Sequence, residues 1–168
     1  MARPFDLFVH AVVIGAGATV IMDLWALFLR RAFGVASLDF ALLGRWIGHF
    51  ADGQFTHDRI AAAAPVRGER LIGWAAHYTI GVTFAAVLLV IAGPQWLARP
   101  TLLPALAVSY ATLVAPFFVM QPAMGAGIAA SKTPHPNAAR LRSVVTHTVY
   151  GVGLYVAGEI WAMISAAV

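Results

Sequence analysis

The chain has 168 residues, of which 61% are hydrophobic and only 11% charged. A soluble domain is roughly 45–50% apolar and about 25% charged, and one this small leaves much of its surface in water, so the composition argues against a soluble globular protein. The formal charge of +4 does not indicate nucleic acid, because the 11 Lys and Arg lie between apolar runs; the absence of cysteine removes disulfides and thiolate metal sites.

Residues 1–6 lead straight into an apolar run over about 7–29 that contains Asp23 and ends at Arg30 and Arg31. With no small-residue cleavage signal, this reads as a retained first span. The connection 30–70 is too long for a turn. After Ser37, a candidate N-cap, Leu38, Leu42, Trp46 and Phe50 recur every four residues while Asp39, Arg45 and His49 are polar. That spacing predicts a short amphipathic helix lying at the membrane interface. Asp52-Gly53 then predicts a turn, and Pro65 helps to close the loop.

The second apolar run covers about 71–92 and stops at Gly93-Pro94; the third covers about 102–130 and carries Pro104, Pro116 and Pro122. Each proline frees a carbonyl one turn earlier, so a kink or opening is expected near Gln121. Pro134 and Pro136 stiffen the next turn, with Asn137 a candidate N-cap, and the fourth run covers about 143–167. Each run satisfies the requirement of about 20 residues for crossing a bilayer. The expected fold is all-α: a single-domain polytopic membrane protein with four transmembrane helices. Continuous apolar runs without period-two alternation argue against a β-barrel.

Basic residues set the expected orientation. Arg30, Arg31, Arg45, Arg59, Arg67 and Arg70 lie in the first connection and Lys132, Arg140 and Arg142 in the third, against Arg3 and Arg99 on the other side. Nine against two places the first and third connections in the cytoplasm and both termini outside.

Ionisable side chains within the spans are the informative ones, since a charge near the bilayer centre costs at least about 2.5–3.5 kcal/mol. Helical rise places Asp23, His77 and His147 roughly 6–9 Å below the cytoplasmic surface, with Gln121, Tyr78 and Tyr150 near the same depth. Asp23, His77, Tyr78, Gln121 and His147 are the expected ligand-binding residues, with Asp23 and His77 as the central pair. His10 and Glu159 form an expected outer polar pair. The bland alternative is that these groups only hold helix register, as small residues such as Gly15, Gly17, Gly151, Gly153 and Gly158 serve close packing. In the loop, His49, Asp52, His57 and Asp58 flank the Gly53 turn, which would bring the two histidines together. With His77 and His147 they are the imidazoles available to a metal ion, although the spacing matches no established ligand signature and a solvated polar loop is the favoured reading of the loop residues. Haem held by paired histidines is a weaker alternative. No nucleophile triad, phosphate loop or haem attachment sequence occurs, so nothing indicates an enzyme.

Residues 17–25 (Gly-Ala-Thr-Val-Ile-Met-Asp-Leu-Trp), Arg45-Trp46-Ile47-Gly48-His49, Phe55-Thr56-His57-Asp58, Trp74-Ala75-Ala76-His77-Tyr78 and residues 124–131 (Met-Gly-Ala-Gly-Ile-Ala-Ala-Ser) resemble a family of small bacterial inner-membrane proteins catalogued as a domain of unknown function. The resemblance covers nearly the whole chain. It implies a bacterial cytoplasmic-membrane location and four helices, and no activity. The function expected from the residues is binding or conduction of a small ligand, proton or metal ion in the lipid bilayer, with a homo-oligomer sharing one pathway. The rival expectation is an accessory or assembly subunit of a larger membrane complex.

Overall fold

In hydrocarbon the backbone of a long apolar run can satisfy its amides only within itself. The computed structural model, which describes residues 4–166, is accordingly helical, with no strand among the described residues. Its helices are α1 (Pro4–Phe33), α2 (Phe40–Gly48), α3 (Glu69–Ala92), α4 (Pro94–Ala98), α5 (Leu102–Ala111), α6 (Gln121–Ala123) and α7 (Pro136–Ala166). Four helical stretches, Phe5–Phe33, Glu69–Ala92, Leu102–Ala123 and Pro136–Ala166, are long and apolar enough to cross a membrane. Along them Phe8, Leu24, Phe28, Val90, Ile91, Leu103 and Ile164 are exposed. Apolar exposure on that scale suits lipid rather than water.

Several boundaries differ from the sequence expectation. The cap of α2 is Asp39, whose side chain accepts from the Ala41 amide, and the helix begins at Phe40. Asp and Ser cap comparably well, but Asp39 is the residue directly before the helix, and Ser37 instead donates weakly to the Ala26 carbonyl at 3.5 Å. The third span ends at Ala123, well before 130, because Gly125 and Gly127 take positive φ and turn the chain. Its irregularity also starts earlier than Gln121. Residues 112–113 form a turn, and Ala115–Met120 is a π-helix in which the Gln121 amide donates to the Pro116 carbonyl. The missing Pro116 amide favours the wider turn. Helix α7 starts at Pro136, at the first helical position where a missing amide costs nothing. Asn137 is therefore inside α7, where its Oδ1 accepts from Arg140. Residue 167, the expected end of the fourth span, lies outside the described residues.

The chain forms two compact units. The first comprises the chain up to Ser37, Tyr78–Ala111 and the chain from Thr146. Its core joins Ala11, Ile14, Ala18, Leu88, Ala105, Tyr150 and Leu154. Small residues let its helices approach: a Cβ on Gly15 would press on the Val82 backbone, and one on Gly153 on that of Ala18. Tyr150 donates to the Gly81 carbonyl at 2.6 Å, and Tyr78 donates to Asp23 Oδ2 at 3.1 Å. Each bond links two helices of this unit, the first of them buried and the second part-buried.

The second unit comprises Leu38–His77 and Thr112–Val145. Here α2 crosses the start of α3 at a pair of glycines, Gly44 and Gly73, each lying against the backbone of the other helix. After Ala123 the chain makes a tight turn in which Ala129 (φ 46) and Ala130 (φ 60) are both left-handed. A left-handed non-glycine residue costs roughly 1–2 kcal/mol, so something must hold these two there. Arg140 donates to the Ala129 carbonyl at 2.9 Å, and Thr133 to the Ala130 carbonyl at 2.8 Å. Ala129→Gly is expected to raise stability by about 1 kcal/mol, strain relief outweighing added unfolded-state freedom, as read by thermal unfolding in detergent. An unchanged or lowered midpoint would mean that the turn is unstrained.

Candidate functional site

The loop after α2 is a wrapped segment tied to its surroundings by side chains of α2. Arg45 makes a two-pronged ion pair with Glu69, Nε to Oε2 and Nη2 to Oε1, both 2.8 Å. The Glu69 carboxylate thereby raises the Arg45 pKa above its usual value. The same guanidinium donates to the Ala61 and Ala63 carbonyls. Trp46 Nε1 donates to the Phe55 carbonyl at 2.8 Å. His49 Nε2 lies 3.0 Å from the Ala64 carbonyl. A planar guanidinium meeting a carboxylate and two carbonyls is a geometry lysine cannot reproduce.

From the other side, the loop pairs with the chain that leaves the third span. The His57 amide donates to the Ala123 carbonyl at 2.8 Å and the Ile60 amide to the Met124 carbonyl at 3.1 Å. Gly125, at φ +90, sits directly against the Asp58 carbonyl, so no side chain fits there.

These ties bring His49 and His57 together, their rings 5.0 Å apart and tilted by 55°. The turn is Gly53 in the left-handed region (φ 72) after the 3-10 helix His49–Asp52. His49 is buried, and its Nδ1 stands 4.0 Å from Asp52 Oδ2. A carbonyl can only accept, so His49 Nε2 carries the proton toward Ala64, and in the neutral ring the lone pair is then on Nδ1. Both ring nitrogens of His57 are buried without a hydrogen-bond partner. Beside the pair, His57, Asp58, Arg59, Gly125 and Lys132 line an open groove.

The family described as "Protein of unknown function (DUF2938)" matches residues 12–161. The chain belongs to the DUF2938 family. Comparison with curated proteins and with solved structures finds no match. All the segments that carry the resemblance lie within the DUF2938 match, and three of them meet in the second unit: 45–49, 55–58 and 124–131.

The remaining expected site residues are distributed over both units. In the first, Asp23 is paired with Tyr78, while the His147 backbone carbonyl accepts from the Ser109 hydroxyl. Tyr150 is bonded to Gly81, and His10 accepts from Trp161 Nε1 at 2.7 Å. Glu159 lines a groove with Arg99. In the second, His77 stacks on Phe40 with ring centroids 4.0 Å apart and meets Trp74 edge-on at 5.7 Å. Gln121 Nε2 donates to Ser143 at 3.4 Å, leaving its Oε1 buried without a partner. No group of three or more His, Asp or Glu placed to hold a metal ion occurs among the described residues.

Sequence reasoning missed Arg45, Glu69 and Gly125 as the residues that shape this region. Arg45 carried a signal, being a cation on a helix otherwise suited to an interface. Its partner is distant in sequence, and no local pattern names it.

Proposed function

We propose that this multi-pass protein of the bacterial cytoplasmic membrane binds a divalent transition-metal ion between His49 and His57. The observation that carries the reading is the His57 ring, whose two nitrogens are buried and unmatched beside a second imidazole. A neutral imidazole presents one donor and one acceptor, and each buried polar atom left unmatched costs about 1–3 kcal/mol. A metal ion sits only about 2.0–2.1 Å from a histidine nitrogen, which suits a space that water does not reach. The Ala64 carbonyl orients His49 from behind, as backbone carbonyls do for metal-bound histidines. Asp52 stands near His49 Nδ1 and is largely exposed, free to turn in as a third ligand. Imidazole with carboxylate suits zinc and its neighbours. In this reading the loop site faces the cytoplasm, following the basic residues, and the Asp23–Tyr78 bond serves helix register.

After chelator treatment, the full chain in mild detergent is expected to bind cobalt(II) or zinc in equimolar amount, followed by visible absorption and metal analysis. His57→Ala and His49→Ala should each weaken binding by at least about 100-fold, Asp52→Asn by less, and the exposed His135→Ala not at all. Failure of the wild type to take up metal, or full uptake by His57→Ala, would overturn the reading.

A further inference from the structure

The first unit holds a second feature, unconnected with the histidine pair. Glu159 lies seven residues before Ala166 on α7, about 10 Å in from that end by helical rise. Among the described residues its carboxylate has no ion pair or hydrogen bond, although it is only partly exposed. An ionisable group in a span with no protein partner is a site until shown otherwise. Across a groove from it, where α4 ends, stands Arg99, whose guanidinium likewise has no partner among the described residues. The two charges share one groove yet lie too far apart to form an ion pair with each other.

The rest of the groove is apolar. Ala162, Met163 and Ala166 follow Glu159 at intervals of three, four and seven, forming one stripe of α7, and Pro100 closes the other side. Met163 is 62% exposed. Two tryptophans mark the level: Trp161, two residues beyond Glu159, bonds His10, and Trp96 bonds the Thr101 carbonyl. Such rings favour the boundary between headgroups and acyl chains.

We infer that this groove binds a zwitterionic phospholipid with a primary ammonium headgroup, the phosphate on Arg99, the ammonium on Glu159 and an acyl chain along Met163. A guanidinium matches phosphate with two parallel hydrogen bonds, and a primary ammonium offers a carboxylate N–H donors. A trimethylated ammonium offers none, and the glycerol hydroxyls of phosphatidylglycerol donate without a positive charge, giving Glu159 only the weaker, neutral-donor hydrogen bond. The groove therefore distinguishes phosphatidylethanolamine from both phosphatidylcholine and phosphatidylglycerol.

The full chain in mild detergent, given each of these three lipids, is read by native mass spectrometry. Wild type is expected to retain phosphatidylethanolamine about tenfold or more over the other two, the worth of a charge-assisted hydrogen bond. Glu159→Gln, nearly the same shape, should lose the preference over phosphatidylglycerol while still holding lipid. Arg99→Gln, at an exposed position, should weaken retention of both phosphatidylethanolamine and phosphatidylglycerol. Metal uptake at the histidine pair should not change in either variant. Equal retention of all three lipids by the wild type, an unaltered preference in Glu159→Gln, or undiminished retention of both lipids by Arg99→Gln overturns the inference. So does binding of chain-free glycerophosphoethanolamine as tightly as the lipid, which would assign the groove to a free solute.

Discussion

Gly125→Ala is expected to be among the most damaging single substitutions in this protein, lowering stability by roughly 2–5 kcal/mol. Two costs add. At φ +90 an L side chain is strained whatever the space, which accounts for about 1–2 kcal/mol. The new Cβ would also overlap the Asp58 carbonyl, a backbone atom tied to its place because the neighbouring His57 and Ile60 amides donate to Ala123 and Met124. Overpacking against fixed atoms costs about 1–3 kcal/mol. Thermal unfolding in detergent reads the loss. The substitution should also reduce metal uptake, because residues 57–60 can escape the clash only by leaving the third span, carrying the His57 ring away from His49. A variant with the wild-type midpoint and undiminished uptake would mean that this contact does not hold the loop.

The second large effect is expected at the crossing of α2 and α3. A Cβ on Gly44 would overlap the Glu69 carbonyl, and one on Gly73 would overlap the Phe40 carbonyl. Neither obstacle is a side chain that can rotate aside, so the helices must separate. Gly44→Ala and Gly73→Ala should each cost about 3 kcal/mol, the upper part of the range for overpacking. Separation would also lengthen the Arg45–Glu69 pair. The control is Gly53→Ala, which meets no atom within 4 Å and strains only its own φ of 72. It should cost about 1–2 kcal/mol, less than either crossing variant. Crossing variants no more damaging than Gly53→Ala would show that the two helices have room to spare.

Much of the first unit's chemistry was legible in the residues themselves. Several of the polar groups singled out within the spans make cross-helix bonds there: Tyr78 with Asp23, Tyr150 with Gly81, and His10 with Trp161; Glu159 makes none among the described residues. A polar atom in an apolar span is costly unless matched, so its presence forecasts a partner, in the protein or outside it. What it does not forecast is which partner. His10 was expected opposite Glu159 and is bonded to Trp161, two residues along and on a different face of α7, because helical rise gives depth but not rotation about the axis.

The loop was legible in a different way. The Asp52-Gly53 turn and the two histidines on either side could be read directly, since a turn is a property of two adjacent residues. The ties that hold the rings at 5.0 Å run from Arg45 to Glu69 and from 57–60 to 123–125, between segments far apart in sequence.

Hydropathy is a sum over neighbouring residues and needs no knowledge of where the chain goes next. The amino-acid sequence by itself therefore determined the all-helical character of the protein, its four membrane-crossing stretches and the glycine turn between the histidines. Directional contacts depend on the path of the backbone. Only the tertiary structure decided that α2 lies against α3, that the third span stops at Ala123, and that an unmatched His57 ring faces His49. Those outcomes rest on close approach at Gly44, Gly73 and Gly125, where the absence of one carbon atom lets two distant stretches of backbone touch.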